Sequence, residues 1–98
     1  MHKIELSPDA MAHLRLLTAR DRKTILNGIE EYLSHEPLVE TRNRKPMRPN
    51  PIAPWELRLG NFRVYYDVEE GPDGKVLVRA VGVKLRNVVK IGQQEYYL

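Results

Sequence analysis

The chain has 98 residues, of which 42% are hydrophobic and 30% charged, and it contains no cysteine. This length leaves room for one core, and the composition excludes a disordered chain, so we expect a single domain over residues 1–98. The missing cysteines exclude disulfides and thiolate metal sites, and no apolar run is as long as a membrane span or a signal-peptide core, so we expect a cytoplasmic protein without a membrane partner.

The net charge of +3 is unevenly distributed along the chain. Residues 1–40 carry five Lys and Arg against seven Asp and Glu, whereas residues 41–66 carry six against Glu56 alone. Residues 67–98 carry five of each kind and balance. A basic middle third indicates a polyanionic partner, either nucleic acid or an acidic protein, although a merely solvated face would have the same composition.

The first forty residues predict one strand followed by two helices. Residues 2–6 alternate between polar and apolar side chains, as a short strand does. Ser7 and Pro8 are typical of an N-cap and a first helical residue. A second helix is predicted from Arg22 to Ser34, and Pro37 lies beyond its end. With so short a connection, we expect a helical hairpin that buries both apolar stripes on a sheet.

The segment 38–54 is rich in proline and basic residues. Its four prolines exclude a helix or a central strand, so we expect it to run extended along the surface. A long ordered loop in a small domain is often functional, but it could equally serve only to cover a sheet edge. If it is functional, its basic side chains are candidates for binding a polyanionic substrate, namely Arg44, Lys45 and Arg48.

The next segment, 55–67, predicts a β-hairpin with an unusual charge pair. Apolar and polar residues alternate on both sides of Gly60-Asn61, which indicates a two-residue type II′ turn. That register places Arg58 directly opposite Arg63, although like charges in this arrangement repel. Two adjacent guanidinium groups suit the binding of an anion such as a phosphate. Tyr65 shares their face, where its ring would either stack on a base or simply face solvent.

The remaining residues predict an antiparallel meander. A turn at 70–74 is followed by a strand over 75–83 that is apolar on both faces, as in the centre of a sheet. Residues 88–91 and 95–98 could form a short terminal hairpin. The predicted fold class is α+β, in the order β-α-α-β-β-β, with a twisted antiparallel sheet and the helical hairpin on one of its faces. No His, Asp and Glu spacing suggests a metal site, and we expect no cofactor.

The hairpin and the end of the predicted central strand together resemble the RelE/ParE toxin superfamily. The matching residues extend through the hairpin and into the strand that follows it, and they are Trp55, Leu57, Arg58, Gly60, Phe62, Arg63, Val64, Tyr66, Val81, Gly82, Val83 and Lys84. The resemblance implies a RelE-like fold and a bacterial type II toxin that a cognate antitoxin keeps silent. RelE-like members cut messenger RNA on the ribosome as metal-independent endoribonucleases, and they thereby inhibit translation.

The resemblance also implies roles for individual residues. It implies that Arg63 binds phosphate and stabilises transition-state charge, that Arg58 and Lys84 assist as further catalytic cations, and that Arg86 is a secondary substrate-binding residue. A lysine that carries protons in some members aligns with Glu56, and the C-terminal tyrosine of the family aligns near Lys90. Tyr96 or Tyr97 would then have to replace that tyrosine.

Three functions follow from this pattern and stay open at the level of sequence. The first is a RelE-like messenger RNA endoribonuclease. The second is a ParE-like toxin that binds DNA gyrase without nuclease chemistry. The third is a degenerate member that binds its antitoxin but is not toxic, which the departures at Glu56 and Lys90 suggest.

Overall fold

The computed structural model describes residues 1–71 and 74–98. Within these residues the elements are β1 Lys3–Leu6, α1 Pro8–Arg15, α2 Ala19–Leu33, β2 Arg44–Pro46, β3 Trp55–Leu59, β4 Phe62–Glu69, β5 Lys75–Leu85, β6 Val88–Ile91 and β7 Gln94–Tyr96. Two residues of the turn predicted at 70–74, Pro72 and Asp73, lie outside the described residues. Neither helix of the described ranges is long and apolar enough to cross a membrane.

Both helices begin at side-chain caps. The Ser7 hydroxyl accepts a hydrogen bond from the Ala10 N–H at 3.0 Å, as the sequence predicted. The predicted start of α2 at Arg22 is wrong, because the Thr18 hydroxyl accepts from the Asp21 N–H at 3.1 Å and the helix begins at Ala19. Residues 19–21, which precede the predicted start, therefore form the first turn of α2.

The sheet is antiparallel except at one strand. Its main path is β2-β3-β4-β5-β6-β7, and β1 pairs in parallel with β5. One edge of β5 is shared, because β1 pairs with residues 75–78 and β6 with residues 82–85. Between these stretches the Val81 N–H donates to His13 Nδ1 of α1 at 3.2 Å. The central position predicted for this strand is confirmed.

The register of the β3–β4 hairpin is the predicted one. Leu59 pairs with Phe62, so Gly60-Asn61 is a two-residue loop. Gly60 has a φ of 58°, whereas the φ of Asn61 is not positive, as expected of a type II′ turn. Leu57 and Val64 consequently face the helices and are fully buried there. This face forms the larger of two apolar clusters, and it buries the stripes of both helices.

The other face of the sheet carries a second, smaller apolar cluster. It consists of Tyr65, Ala80, Val89, Ile91 and Ala53, and side chains from two distant segments complete it, namely Met47, Ile52, Tyr96 and Leu98. The proline-rich segment therefore folds over this face instead of only following the surface. Part of it also pairs with β3 as the short edge strand β2.

Candidate nucleic-acid interface

Arg58 and Arg63 occupy paired positions on the sheet face opposite the helices. They are direct partners across β3 and β4, and the next pair on the same face is Glu56 with Tyr65. The Arg58 Nε–H donates to Glu56 Oε1 at 2.7 Å, and the Arg58 side chain remains 48% exposed. This bond engages the Nε of Arg58, and neither of its two Nη groups takes part in it. We call the surface formed by Arg58, Arg63 and Lys84 the arginine face.

Arg63 is held by the turn that precedes it. Its Nη1 donates to the carbonyl oxygens of Gly60 at 2.7 Å and Phe62 at 2.9 Å. The carbonyl dipoles offset part of the positive charge of this guanidinium, as Glu56 does for Arg58. Arg58 therefore has a carboxylate partner, and Arg63 has partly negative carbonyl oxygens beside it. These partners explain how the sheet tolerates two like charges as neighbours.

Lys84 and Arg86 lie at the same end of the sheet as the Gly60-Asn61 turn. Gly82 pairs with Arg63, and Lys84, two residues further along β5, has the same facing. The Lys84 backbone N–H donates to the Asn61 carbonyl at 2.7 Å. Arg86 is exposed in the two-residue turn between β5 and β6, and its φ is 52°.

A groove of about 480 Å³ runs beside Arg58. We call it the basic groove, and it is lined by Lys45, Pro46, Met47, Arg48, Pro49, Asn50, Glu56, Arg58, Tyr97 and Leu98. Arg48 is exposed, and the Lys45 ammonium lies 3.4 Å from the Glu40 carboxylate. Arg63 and Lys84 are not among its lining residues, so they extend the cationic surface past its end. Arg58 is the residue that the groove and the arginine face share.

Asn43 holds the backbone of Arg58 in place. Its side-chain amide donates to the Arg58 carbonyl at 2.8 Å, and its own carbonyl accepts from the Arg58 N–H at 2.8 Å. Asn43 thus continues the β2–β3 ladder by one residue. The sequence pattern had no signal for this role, because Asn43 belongs to no periodic segment.

Arg44, predicted as a substrate-binding residue, is buried and does not line the basic groove. It is paired with Leu57, so it faces the helix side of the sheet, and it is 9% exposed. Its Nε donates to the Val39 carbonyl at 2.9 Å and its Nη1 to the Tyr32 carbonyl at 2.8 Å. Tyr32 is in the last turn of α2, where carbonyls lack helical partners and a cation is favourable.

The expectation that Tyr65 could stack on a base is wrong for this arrangement. Tyr65 is on the predicted face but is fully buried in the second apolar cluster. Its hydroxyl has no hydrogen-bond partner of normal geometry among the described residues. Burial raises the pKa of Tyr65, and the neighbouring Glu56 carboxylate raises it further. The segments that cover the ring come from residues 47–53 and 96–98, far away in sequence.

Of the two C-terminal tyrosines, Tyr97 is the one that reaches the groove. It is 82% exposed and lines the groove with Arg58. Tyr96 instead packs on the second apolar cluster, and its hydroxyl donates to Gln94 Oε1 at 2.6 Å. Lys90 pairs with Val83 and so faces the helix side, away from the arginines.

The described part of the chain contains no cluster of three His, Asp or Glu residues that could hold a metal ion. The cations of the arginine face, namely Arg58, Arg63 and Lys84, suit an anionic ligand that is bound by guanidinium and ammonium groups.

Comparison with known proteins shows the fold. No family model and no curated protein matches the chain. A chain from the crystal structure of the toxin-antitoxin complex RelBE2 from Mycobacterium tuberculosis superposes with a TM-score of 0.69. The match covers 85% of this chain and 98% of that one, at 23% sequence identity. The resemblance predicted from the hairpin is therefore confirmed at the level of fold, and this chain has the RelE-like α+β architecture.

Proposed function

We propose that this chain is the toxin of a bacterial type II toxin-antitoxin system, and that it cleaves messenger RNA on the ribosome without a metal ion. The observation that carries the proposal is the pairing of Arg58 with Arg63 on the arginine face. The fold adds support, because it is similar to that of a chain from a toxin-antitoxin complex. The site of action would be the cytoplasm.

The chemistry that such a face can support is an in-line attack of a ribose 2′-OH on the adjacent phosphate. Negative charge builds up on the phosphate oxygens in the transition state, and preorganised cations stabilise it. Arg58, Arg63 and Lys84 would supply these cations. Because Glu56 engages only the Nε of Arg58, the two Nη groups of Arg58 are available for parallel hydrogen bonds to a phosphate.

The basic groove would hold the RNA strand next to the scissile phosphate. Lys45 and Arg48 can contact backbone phosphates on one side of Arg58. Arg86 can contact them at the end of the sheet that holds the Gly60-Asn61 turn. Tyr97, which is largely exposed, takes over the stacking role for which Tyr65 is too deeply buried.

The partner that keeps the toxin silent would be an antitoxin. A segment with acidic side chains would be attracted to the arginine face and would exclude RNA from it. Binding there or beside it would abolish toxicity without any change in the fold of the toxin.

Induced expression in bacterial cells, with mapping of messenger RNA 5′ ends, tests this proposal. We expect growth arrest with new ends inside coding regions, both of which Arg63→Ala should abolish. Arg42→Ala is the matched control, because Arg42 is exposed and is not among the residues lining the groove. Arrest with intact messages and broken DNA would instead indicate gyrase poisoning, and no arrest at all would indicate a degenerate member.

A further inference from the structure

One carboxylate lies on the floor of the otherwise basic groove. Glu56 is 7% exposed at its side chain, and it is the only Asp or Glu among the described residues that line the groove. A buried carboxylate is costly unless it is paired, and here the pairing partner is the half-exposed Arg58. In the family resemblance, Glu56 stands where some members have a proton-carrying lysine. Its position beside the candidate phosphate-binding arginine suggests a use.

We infer that Glu56 is the proton acceptor of the cleavage reaction, an inference that rests on the proposed nuclease function. Arginine stays protonated in proteins and cannot take a proton from a hydroxyl. An ionised carboxylate is an acceptor only, which is what the attacking 2′-OH requires. The Arg58 Nε–H occupies Oε1 at 2.7 Å, and the second oxygen of Glu56 makes no hydrogen bond within the described residues.

The step balances without any further reactant except water. The 2′-OH gives its proton to Glu56 as the bond from O2′ to phosphorus forms. The bond from phosphorus to O5′ then breaks, and the leaving oxygen takes a proton from water. The products are a 2′,3′-cyclic phosphate and a 5′-hydroxyl end, and Glu56 returns its proton to solvent. Arg58 and Arg63 balance the charge on the phosphate throughout.

The test is a single-turnover assay on ribosomes programmed with messenger RNA, combined with binding of a 2′-deoxy analogue that cannot be cut. Glu56→Gln keeps the shape of the side chain and an oxygen acceptor for Arg58, but it removes the basic carboxylate. We expect cleavage to slow by about 10²–10⁴-fold, the usual contribution of a general base. Binding of the 2′-deoxy RNA should be unchanged or tighter, because one negative charge is lost near the phosphate.

Two further variants complete the design. Glu56→Asp keeps the charge but shortens the side chain, so it should retain more activity than Glu56→Gln. Glu95→Gln makes the same change of net charge at an exposed residue that pairs with Lys90 on the other face, and it should cleave at the wild-type rate.

Each outcome decides between the two proposals. Wild-type protein that fails to cleave overturns the nuclease function and the role of Glu56 together. If wild-type protein cleaves and Glu56→Gln is equally fast or faster, only the role of Glu56 is overturned, and a faster variant would show that Glu56 merely restrains Arg58. Loss of both binding and cleavage in a folded Glu56→Gln variant would also overturn it, in favour of a structural contact.

Discussion

Arg58 on β3 lies directly opposite Arg63 on β4, and the Glu56 carboxylate bonds to the Arg58 Nε at 2.7 Å. The two arginines are therefore not equivalent, although they share a face. Arg58 neutralises a buried acid, whereas Arg63 bonds, within the described residues, to backbone carbonyls of the turn before it. This difference predicts different effects on stability when either one is removed.

Replacement of Arg58 by Ala should destabilise the fold more than replacement of Arg63. Arg58→Ala leaves the buried Glu56 without its ion-pair partner, which costs on the order of 1–3 kcal/mol. Arg63→Ala also removes a like-charge repulsion, so we expect a change within about 0.5 kcal/mol. Urea denaturation measures both free energies of unfolding. The double variant Glu56→Gln with Arg58→Ala should recover part of the loss, and a larger loss for Arg63→Ala would contradict this account.

Arg44 should matter for stability through the end of α2. Arg44→Ala removes two hydrogen bonds from a buried guanidinium to backbone carbonyls, so we expect a loss of about 1–3 kcal/mol in the free energy of unfolding. Amide exchange should accelerate most in the last turn of α2. Arg42→Ala, a neighbouring exposed arginine, should change stability by less than about 0.5 kcal/mol. Equal effects of the two substitutions would refute a capping role for Arg44.

Two substitutions of Arg86 distinguish the effect of its charge from the effect of its backbone conformation. Its φ of 52° is a conformation that glycine adopts freely and other residues adopt at a cost. Arg86→Gly should therefore stabilise the protein by about 1 kcal/mol relative to Arg86→Ala, as thermal unfolding would show. Both variants lose the same charge, so RNA binding should weaken equally in both. Different RNA affinities for the two variants would mean that the turn conformation, and not the cation, matters.

His13 should make stability depend on pH. Its Nδ1 accepts the Val81 N–H, so the bond requires the neutral ring. Burial lowers the pKa of His13 below its ordinary value of 6.5, and Asp9 opposes this only in part. The stabilisation is therefore complete above pH 6.5 and is lost as pH falls below that value. We expect the unfolding free energy to decrease from pH 7 to pH 5, and less steeply in His13→Asn, whose amide oxygen accepts without titrating. Parallel profiles would contradict the assignment.

The sequence predicted those features that depend on neighbouring residues. Gly60-Asn61 determined the turn, and the turn determined which residue faces Arg58. Ser7 predicted the start of α1 for the same local reason. The resemblance to RelE-like proteins rested on the same hairpin, and the structural match confirms the fold that it implied.

The features that were mispredicted or missed depend on contacts between distant residues. Tyr65 alternates with Arg63 and so looked exposed, but residues from both the proline-rich segment and the C-terminal end cover it. Arg44 lies in a strand too short to show a period, so its facing could not be inferred. Glu56 was identified only as a departure from the family pattern, because its burial beside Arg58 depends on the packing of the sheet face and leaves no signal in the sequence.

The most direct test of the central claim is cleavage of ribosome-bound messenger RNA by purified protein, followed by primer extension. Wild-type protein and Arg42→Ala should produce the same new 5′ ends. Arg63→Ala, correctly folded by circular dichroism, should cut at least about 100-fold more slowly, as expected when a charge-stabilising group is removed. Intact message with wild-type protein, or undiminished cleavage by Arg63→Ala, would contradict the account.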